Sequence, residues 1–422
     1  MRLAHVFLAV CSVVLLATSA QAQNLSTLAA LPDYRRLDAY QETMTREEFA
    51  GLLERLYAPH GGWQAFIRLD PDAAVIRKTS VPLDDLYTLR FAPSEAGRKP
   101  LPFAYWRPRA ALPSAEHPLD GVKIALDPGH LGGRWAKLEE RWFQIGDQPP
   151  VMEGEMTLRV ARLLEVKLRA RGAIVTLVRD SDEPTTPLRP ETLADAARQQ
   201  LAEQGVEHPR LSFDGPADTE RQFSIPWASN VLFTRADIRA RSESVNGTIR
   251  PDLVVCLHFN AEAWGDPAKP TLVDRNHFHV LVNGCYGPDE IVKDDVRFEM
   301  LLKLLDRSGA EEASLAESVA PALAAATGLP PYQYTGANAL HIGGSPAVWA
   351  RNLLANRLYE CPVVYVEPYV MNSPEVFARV QAGDYEGTRE FGGVQKRSIF
   401  REYADAVADG LTAYYQGRGH GR

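Results

Sequence analysis

The rhythm of hydrophobic positions changes near Gly121. Before it, Phe49, Leu52, Leu53 and Leu56 recur on one face of a predicted helix, which Thr45-Arg46-Glu47-Glu48 opens as a capping box. Pro59-His60-Gly61-Gly62 should stop that helix, after which Trp63–Leu69 and Ala73–Ile76 read as short strands. Beyond Gly121, apolar runs alternate with helical spacing. Val122–Asp127 ends in Pro128-Gly129, as a buried strand meeting a loop would. Met156, Val160, Leu163, Leu164 and Leu168 repeat at helical spacing up to Gly172, and Ala173–Val178 is again a strand. One helix crossing between two strands implies parallel pairing. Further strands are predicted at Leu253–His258, Phe278–Val282 and Val363–Glu367, and helices at Phe298–Leu305, Leu315–Thr327 and Ile399–Tyr415. The expected fold class is α/β: a single, mostly parallel, twisted sheet flanked by helices and preceded by a small α+β region.

The pattern also divides the chain. Residues 1–22 read as an export signal, in which Arg2 is the positive start and Val6–Leu16 an apolar core too short to span a bilayer. Ser19-Ala20-Gln21-Ala22 then offers an A-x-A cleavage site. Residues 23–118 read as an accessory region without evident chemistry. Its stretch Leu101–Pro118 is rich in proline and aromatic residues, as a linker or docking strap is. Residues 119–416 form the main domain, with an insertion at about 189–233 and a tail at 417–422. The insertion holds one short helical run, Thr192–Gln204, and then a long polar stretch of the kind that is usually functional or mobile. The expected product is exported to the periplasm without a membrane anchor.

Composition narrows the options. With 422 residues, 45% hydrophobic and 24% charged, the chain belongs with globular proteins rather than disordered or disulfide-stapled ones. Its 46 Lys+Arg against 54 Asp+Glu give a net charge of −8, which argues against nucleic acid or anionic lipid held by bulk charge. Past the export signal stand Cys256, Cys285 and Cys361, an odd number with no C-x-x-C spacing, so a cysteine zinc site is not supported.

Candidate chemistry collects at strand ends, where open α/β sheets bind ligands. The first main-domain strand ends in Asp127-Pro128-Gly129-His130, the third in Leu257-His258-Phe259-Asn260, and the last in Val366-Glu367-Pro368. The loop entering the first crossover helix carries Glu153 and Glu155. Two histidines and one carboxylate with an open position make the ligand set of a catalytic zinc, and a further glutamate can serve as general base. Glu153 and Glu155 both qualify as the carboxylate ligand, although an acid in a first helical turn also has a purely structural use. His277 and His279 share one strand face, which fits metal spacing and fits an exposed histidine face equally well. His341, near Gly343-Gly344, is a substrate-contact candidate, and Asp127 and Asn260 suit loop shaping or support of a ligand.

These stretches resemble, in order, the zinc-dependent N-acetylmuramoyl-L-alanine amidases of the type-3 amidase fold. Ile124–His130 with Gly132-Gly133 is similar to the family's opening strand and zinc-histidine loop, and Glu153-Gly154-Glu155-Met156-Thr157-Leu158 to its E-K-D-x-x-L helix start. Arg241 with Val245-Asn246 is similar to its R-x-x-x-A-N segment, Asp252–Ala261 to the strand ending in the second zinc histidine, and Val363–Glu367 with Asn372 and Glu375 to its closing strand. The resemblance covers about residues 119–416 as scattered motifs. It implies Zn2+ as cofactor, His130, Glu153 and His258 as its ligands, Glu367 as catalytic base, and peptidoglycan as partner, with the bond between N-acetylmuramic acid and L-alanine as target. It leaves open a protein activator, and it marks Asp127, Arg241, Asn260 and His341 as supporting or substrate candidates. A wall-binding protein without catalysis and a zinc hydrolase of another exported amide remain as alternatives. Two segments carry expectations of their own. The aromatic loop at 135–143 should wall the groove and stack on sugar rings, and the helix Phe298–Leu305 should occlude the zinc.

Overall fold

The computed structural model describes residues 24–80, 85–102, 104–113 and 115–416. The expected export signal at 1–22 and the tail at 417–422 lie outside the described residues.

The first α-helix of the described residues is α1 (Arg46–Leu52), for which Thr45 is the cap: its hydroxyl accepts the Glu48 N–H at 3.3 Å. Strands β1 (Ile67–Leu69), β2 (Ala73–Arg77) and β3 (Leu86–Arg90) follow as an antiparallel sheet of their own. The main domain continues with β4 (Lys123–Pro128), α2 (Gly133–Leu138), the two-residue strands β5 (Trp142–Phe143) and β6 (Val151–Met152), α3 (Glu153–Arg169) and β7 (Ile174–Leu177). Then come α4 (Ala194–Glu203), α5 (Ile225–Ser244), β8 (Leu253–Leu257), β9 (Phe278–Val282), α6 (Pro288–Ile291), α7 (Asp294–Asp306) and α8 (Gly309–Thr327). The chain closes with β10 (Leu340–His341), β11 (Val348–Ala350), α9 (Leu354–Leu358), β12 (Val363–Pro368), α10 (Pro374–Gln381), the hairpin β13 (Arg389–Phe391) and β14 (Val394–Lys396), and α11 (Ile399–Tyr415).

The central sheet has seven strands in the order β10-β11-β9-β12-β8-β4-β7. Strands β7, β4, β8 and β12 run parallel, and β11 runs parallel to β9. The β9–β12 and β10–β11 pairings are antiparallel, so the sheet is mixed and only mostly parallel. Alternation along each strand sorts its side chains between two faces. Ile124, Leu126, Val255, Leu257, Val280, Val364 and Val366 face a core built with α3, α8 and α11. Ala125, Val254, Cys256, Leu281, Val363 and Tyr365 face the other way, against Val245, Trp349 and Tyr359. Among the described residues no helix is long and apolar enough to cross a membrane.

A second core joins residues 34–91 to the main domain. Phe298, Met300, Leu301, Leu304 and Leu305 of α7 are buried there with Tyr34, Leu37, Phe49, Leu53 and Ile76. This corrects the expectation that the helix at 298–305 occludes a zinc: its apolar face is spent on the accessory region, with Tyr34 and Phe298 ring centroids 5.0 Å apart. The stretch 189–233 is also more ordered than its polarity suggests. Leu193, just before α4, with Ala197 and Leu201 of α4 and Ile225, Ala228, Leu232 and Phe233 of α5, closes over Leu131 and Trp135, directly behind the His130 loop.

Candidate metal centre

Register builds the site. Pro128, Leu257 and Val366 stand level across β4, β8 and β12, and Glu367 of β12 pairs directly with His279 of β9. One residue further, Gly129, His258, Glu367 and His279 form a row along the sheet edge, held by Gly129 N–H to Leu257 O at 2.8 Å and His258 N–H to Val366 O at 2.9 Å. Because β9 is antiparallel, it brings its amino end to the edge where β4, β8 and β12 bring their carboxyl ends. The first turn of α3 reaches the same edge with Glu153.

His130, Glu153 and His258 converge so that one ligand atom from each lies within 4.8 Å of the others. His258 Nδ1 is 3.1 Å from Glu153 Oε1, and His130 Nε2 is 3.6 Å from Glu153 Oε2. The two imidazoles stand nearly perpendicular with centroids 5.1 Å apart. Burial pushes the Glu153 carboxyl up, but its neighbours His130, His258 and Arg141 outweigh it, His258 in part through a hydrogen bond, and hold the group down at about 2. Glu155 stands outside this cluster and accepts the Gly133 N–H at 3.3 Å.

The surroundings fit a bound cation. His130 takes a left-handed backbone (φ 56°), strained for a residue with a side chain. The loop is pinned by the buried carboxylate of Glu139, which accepts the Leu131 N–H at 2.7 Å and lies 3.3 Å from His130 Nδ1. A carboxylate on the far nitrogen leaves Nε2 free to ligate, the usual arrangement of metal-bound histidine. At that nitrogen stands a cation of the protein itself: Arg141 Nε is 3.2 Å from His130 Nε2 and 3.4 Å from Glu153 Oε2. The donor set thus draws positive charge to the point where a metal would bind.

Behind the cluster, Arg241 is buried between Asp127 Oδ1 (2.9 Å) and Asp237 Oδ2 (2.8 Å), and donates to Pro128 O at 2.8 Å. Tyr359 donates to Asp127 Oδ2 at 2.6 Å. Asp127 and Arg241 therefore stand under the histidine loop rather than among the ligand atoms. Arg179 clamps the same loops from the end of β7, donating to Pro128 O at 3.0 Å and Gly154 O at 2.7 Å. Asn260 Nδ2 lies 3.5 Å from His277 Nδ1, while His341 is exposed on edge strand β10 with Nε2 3.0 Å from Ser345 O.

Two sequence expectations change here. His277 and His279 form no exposed face: both are buried, the first paired with Glu262 and the second with Glu367. In the aromatic loop, Trp135 is buried on Phe233 and Phe143 on Trp264, with centroids 5.1 and 5.3 Å apart, and neither ring is offered to a groove. Trp142 alone is half-buried, beneath the Lys137 ammonium. Glu139, Arg141 and Arg179 went unrecognised as site residues, and His279, considered only for metal spacing with His277, was not linked to Glu367. A carboxylate and an arginine soon after a candidate ligand histidine were the only signal for the first two.

Fold and site together define an α/β protein with a mixed central sheet and a His–Glu–His cluster of metal-ligand type at one sheet edge, Glu153 and His258 buried and His130 half-buried. No family model and no curated protein matches the chain. Among solved structures it is similar to Ami1, an N-acetylmuramyl-L-alanine amidase from Mycobacterium abscessus, at 19% identity and TM-score 0.37, covering 70% of this chain and 99% of that one. It is likewise similar to the N-acetylmuramoyl-L-alanine amidase AmiC2 of Nostoc punctiforme, at 16% identity and TM-score 0.36, covering 70% and 99%.

Proposed function

We propose that the chain is an exported, zinc-dependent hydrolase of peptidoglycan that cleaves the amide between N-acetylmuramic acid and the L-alanine of the stem peptide. The observation that carries this reading is the row along the sheet edge: a His–Glu–His cluster with the carboxylate of Glu367 one strand away. Tyr365, two residues before Glu367 on the same face of β12, stacks on His258 at 4.2 Å and ties the two groups into one unit. The ordered motifs around His130, Glu153, Arg241, His258 and Glu367 supply the substrate class.

His130, Glu153 and His258 would hold the zinc, whose chemistry when bound is to polarise the scissile carbonyl and acidify a water. Glu139 keeps the His130 ring turned toward that position. Glu367 takes one proton from the water as its oxygen bonds to the carbonyl carbon. It then gives that proton to the nitrogen as the C–N bond breaks, so the alanine leaves as an amine and the lactyl group as an acid. Burial pushes the Glu367 carboxyl up, and the facing His279 more than offsets this, so Glu367 is ionised and ready to accept.

The test is to incubate the mature protein with purified peptidoglycan, with and without chelator, and to identify soluble products by mass spectrometry. Free stem peptides with intact glycan, lost on chelation and in Glu367→Ala, are the expected result. Binding without release overturns catalysis. Cleavage at another bond overturns the substrate assignment.

A further inference from the structure

His279 has no place in a His–Glu–His site, yet it faces the carboxylate on which the proposed chemistry turns. It is directly opposite Glu367 in the β9–β12 register, and its Nε2 makes a close hydrogen bond with Glu367 Oε2. The two side chains are unequally accessible: His279 is 2% exposed and Glu367 19%. Only the carboxylate can meet a substrate, so the histidine acts through it.

The imidazole is held on several sides. Tyr332 and Tyr334 rings each lie 5.5 Å from it, and the Tyr334 hydroxyl is 3.5 Å from Nε2. Arg351 donates to that hydroxyl at 3.3 Å. His279 Nδ1 is buried without a partner. A ring with one nitrogen on a carboxylate and the other unpartnered carries its proton on Nε2 and is oriented by that one bond.

We propose that His279 is the positioning residue of Glu367: its Nε2–H holds Oε2, fixes the carboxylate rotamer, and leaves Oε1 as the oxygen that takes the proton. This rests on the reading of Glu367 as general base. A carboxylate on an edge residue otherwise loses part of its time to unproductive rotamers, and placement errors of about 1 Å cost around a hundredfold in rate. The other account is a cross-strand pair that only stabilises the sheet, and the two differ in what they move.

The experiment uses the zinc-loaded mature protein and a soluble muramoyl-peptide amide. His279→Leu is expected to lower kcat by roughly 10- to 100-fold with KM within about twofold and zinc content unchanged. His279→Gln, which keeps a donor at the same reach, is expected to restore most of kcat. In a Glu367→Gln background His279→Leu should cost nothing further, because residues that act as a unit are not additive. An unchanged kcat in His279→Leu, or a loss shared with zinc content and not rescued by Gln, overturns the proposal. Full activity in Glu367→Gln overturns the base assignment instead. If the wild-type protein cleaves no muramoyl amide, the functional reading falls. The contact is then decided by imidazole 15N NMR, where Glu367→Gln must move the His279 Nε2 resonance, and an unmoved resonance ends the proposal.

Discussion

Gly129 lies so close under His258 that a β-carbon on it would stand 2.1 Å from the ring's Cε1 and 2.2 Å from Nε2. The Gly129 backbone is not in the left-handed region, so space alone demands glycine here. Gly129→Ala is therefore expected to fold and to push the His258 ring out of the cluster, lowering zinc content after dialysis at least tenfold, on the order of losing a ligand's support. Gly247→Ala, where a β-carbon meets nothing within 4 Å, is the control. Equal zinc in both variants would count against the site.

Glu139 offers a milder perturbation. Its carboxyl is 4% exposed; burial pushes it up, but the adjacent His130 holds it below its ordinary value. Glu139→Gln keeps an acceptor for the Leu131 N–H and removes the charge behind His130 Nδ1. Competition with a chromophoric chelator should show a zinc Kd weaker by roughly 10- to 100-fold, with the melting temperature of the metal-free protein nearly unmoved. A Kd within twofold of wild type contradicts the role of Glu139.

Arg241 is a stability element of the site. Its side chain is 4% exposed, burial opposes its charge, and Asp127 and Asp237 raise its affinity for a proton in spite of that. Removing it leaves two buried carboxylates without their cation. Arg241→Met should cost about 3–5 kcal/mol in denaturant unfolding. Arg241→Lys, which keeps the charge but loses the fork that joins Asp127, Asp237 and Pro128 O, should fall between Met and wild type. A loss below about 1 kcal/mol in the Met variant would refute this.

The sequence carried His130, His258 and Glu367 legibly because each ends an apolar run, and a strand end in an α/β sheet is where chemistry collects. Glu153 was legible as one of two first-turn acids, and geometry separates it from Glu155. What stayed hidden depends on pairing. Val348–Ala350 is too short to register as a strand, and nothing local says that β9 runs against β12. Without that reversal, His279 belongs to the far end of the sheet and Glu367 has no partner. Arg179 was missed for a related reason. Its role lies in backbone carbonyls of two loops distant in sequence, which no periodicity reports. The helix at 225–244 was hidden by its own mixed surface, since Ser229, Asp237 and Arg241 are buried alongside Leu232 and Phe233.

Asp306 gives the clearest pH signature away from the cluster. It ends α7, where Trp106 from the proline-rich strap donates to its Oδ2 at 3.2 Å. Burial pushes its carboxyl up to about 6 from 3.8, with Glu312 and Glu360 adding to the rise and Lys303 opposing it. Because the folded pKa exceeds the unfolded one, the folded state binds the proton more tightly. Stability from this group is therefore lost as pH rises from about 4 to about 6, and above that the full penalty of a buried charge remains. Asp306→Asn keeps an acceptor for Trp106 and removes the charge. It should raise unfolding free energy by on the order of 2 kcal/mol at pH 7.5 and by almost nothing at pH 4. Urea unfolding at the two pH values checks this, and a gain of equal size at both would show that the Asn acts through packing rather than through charge.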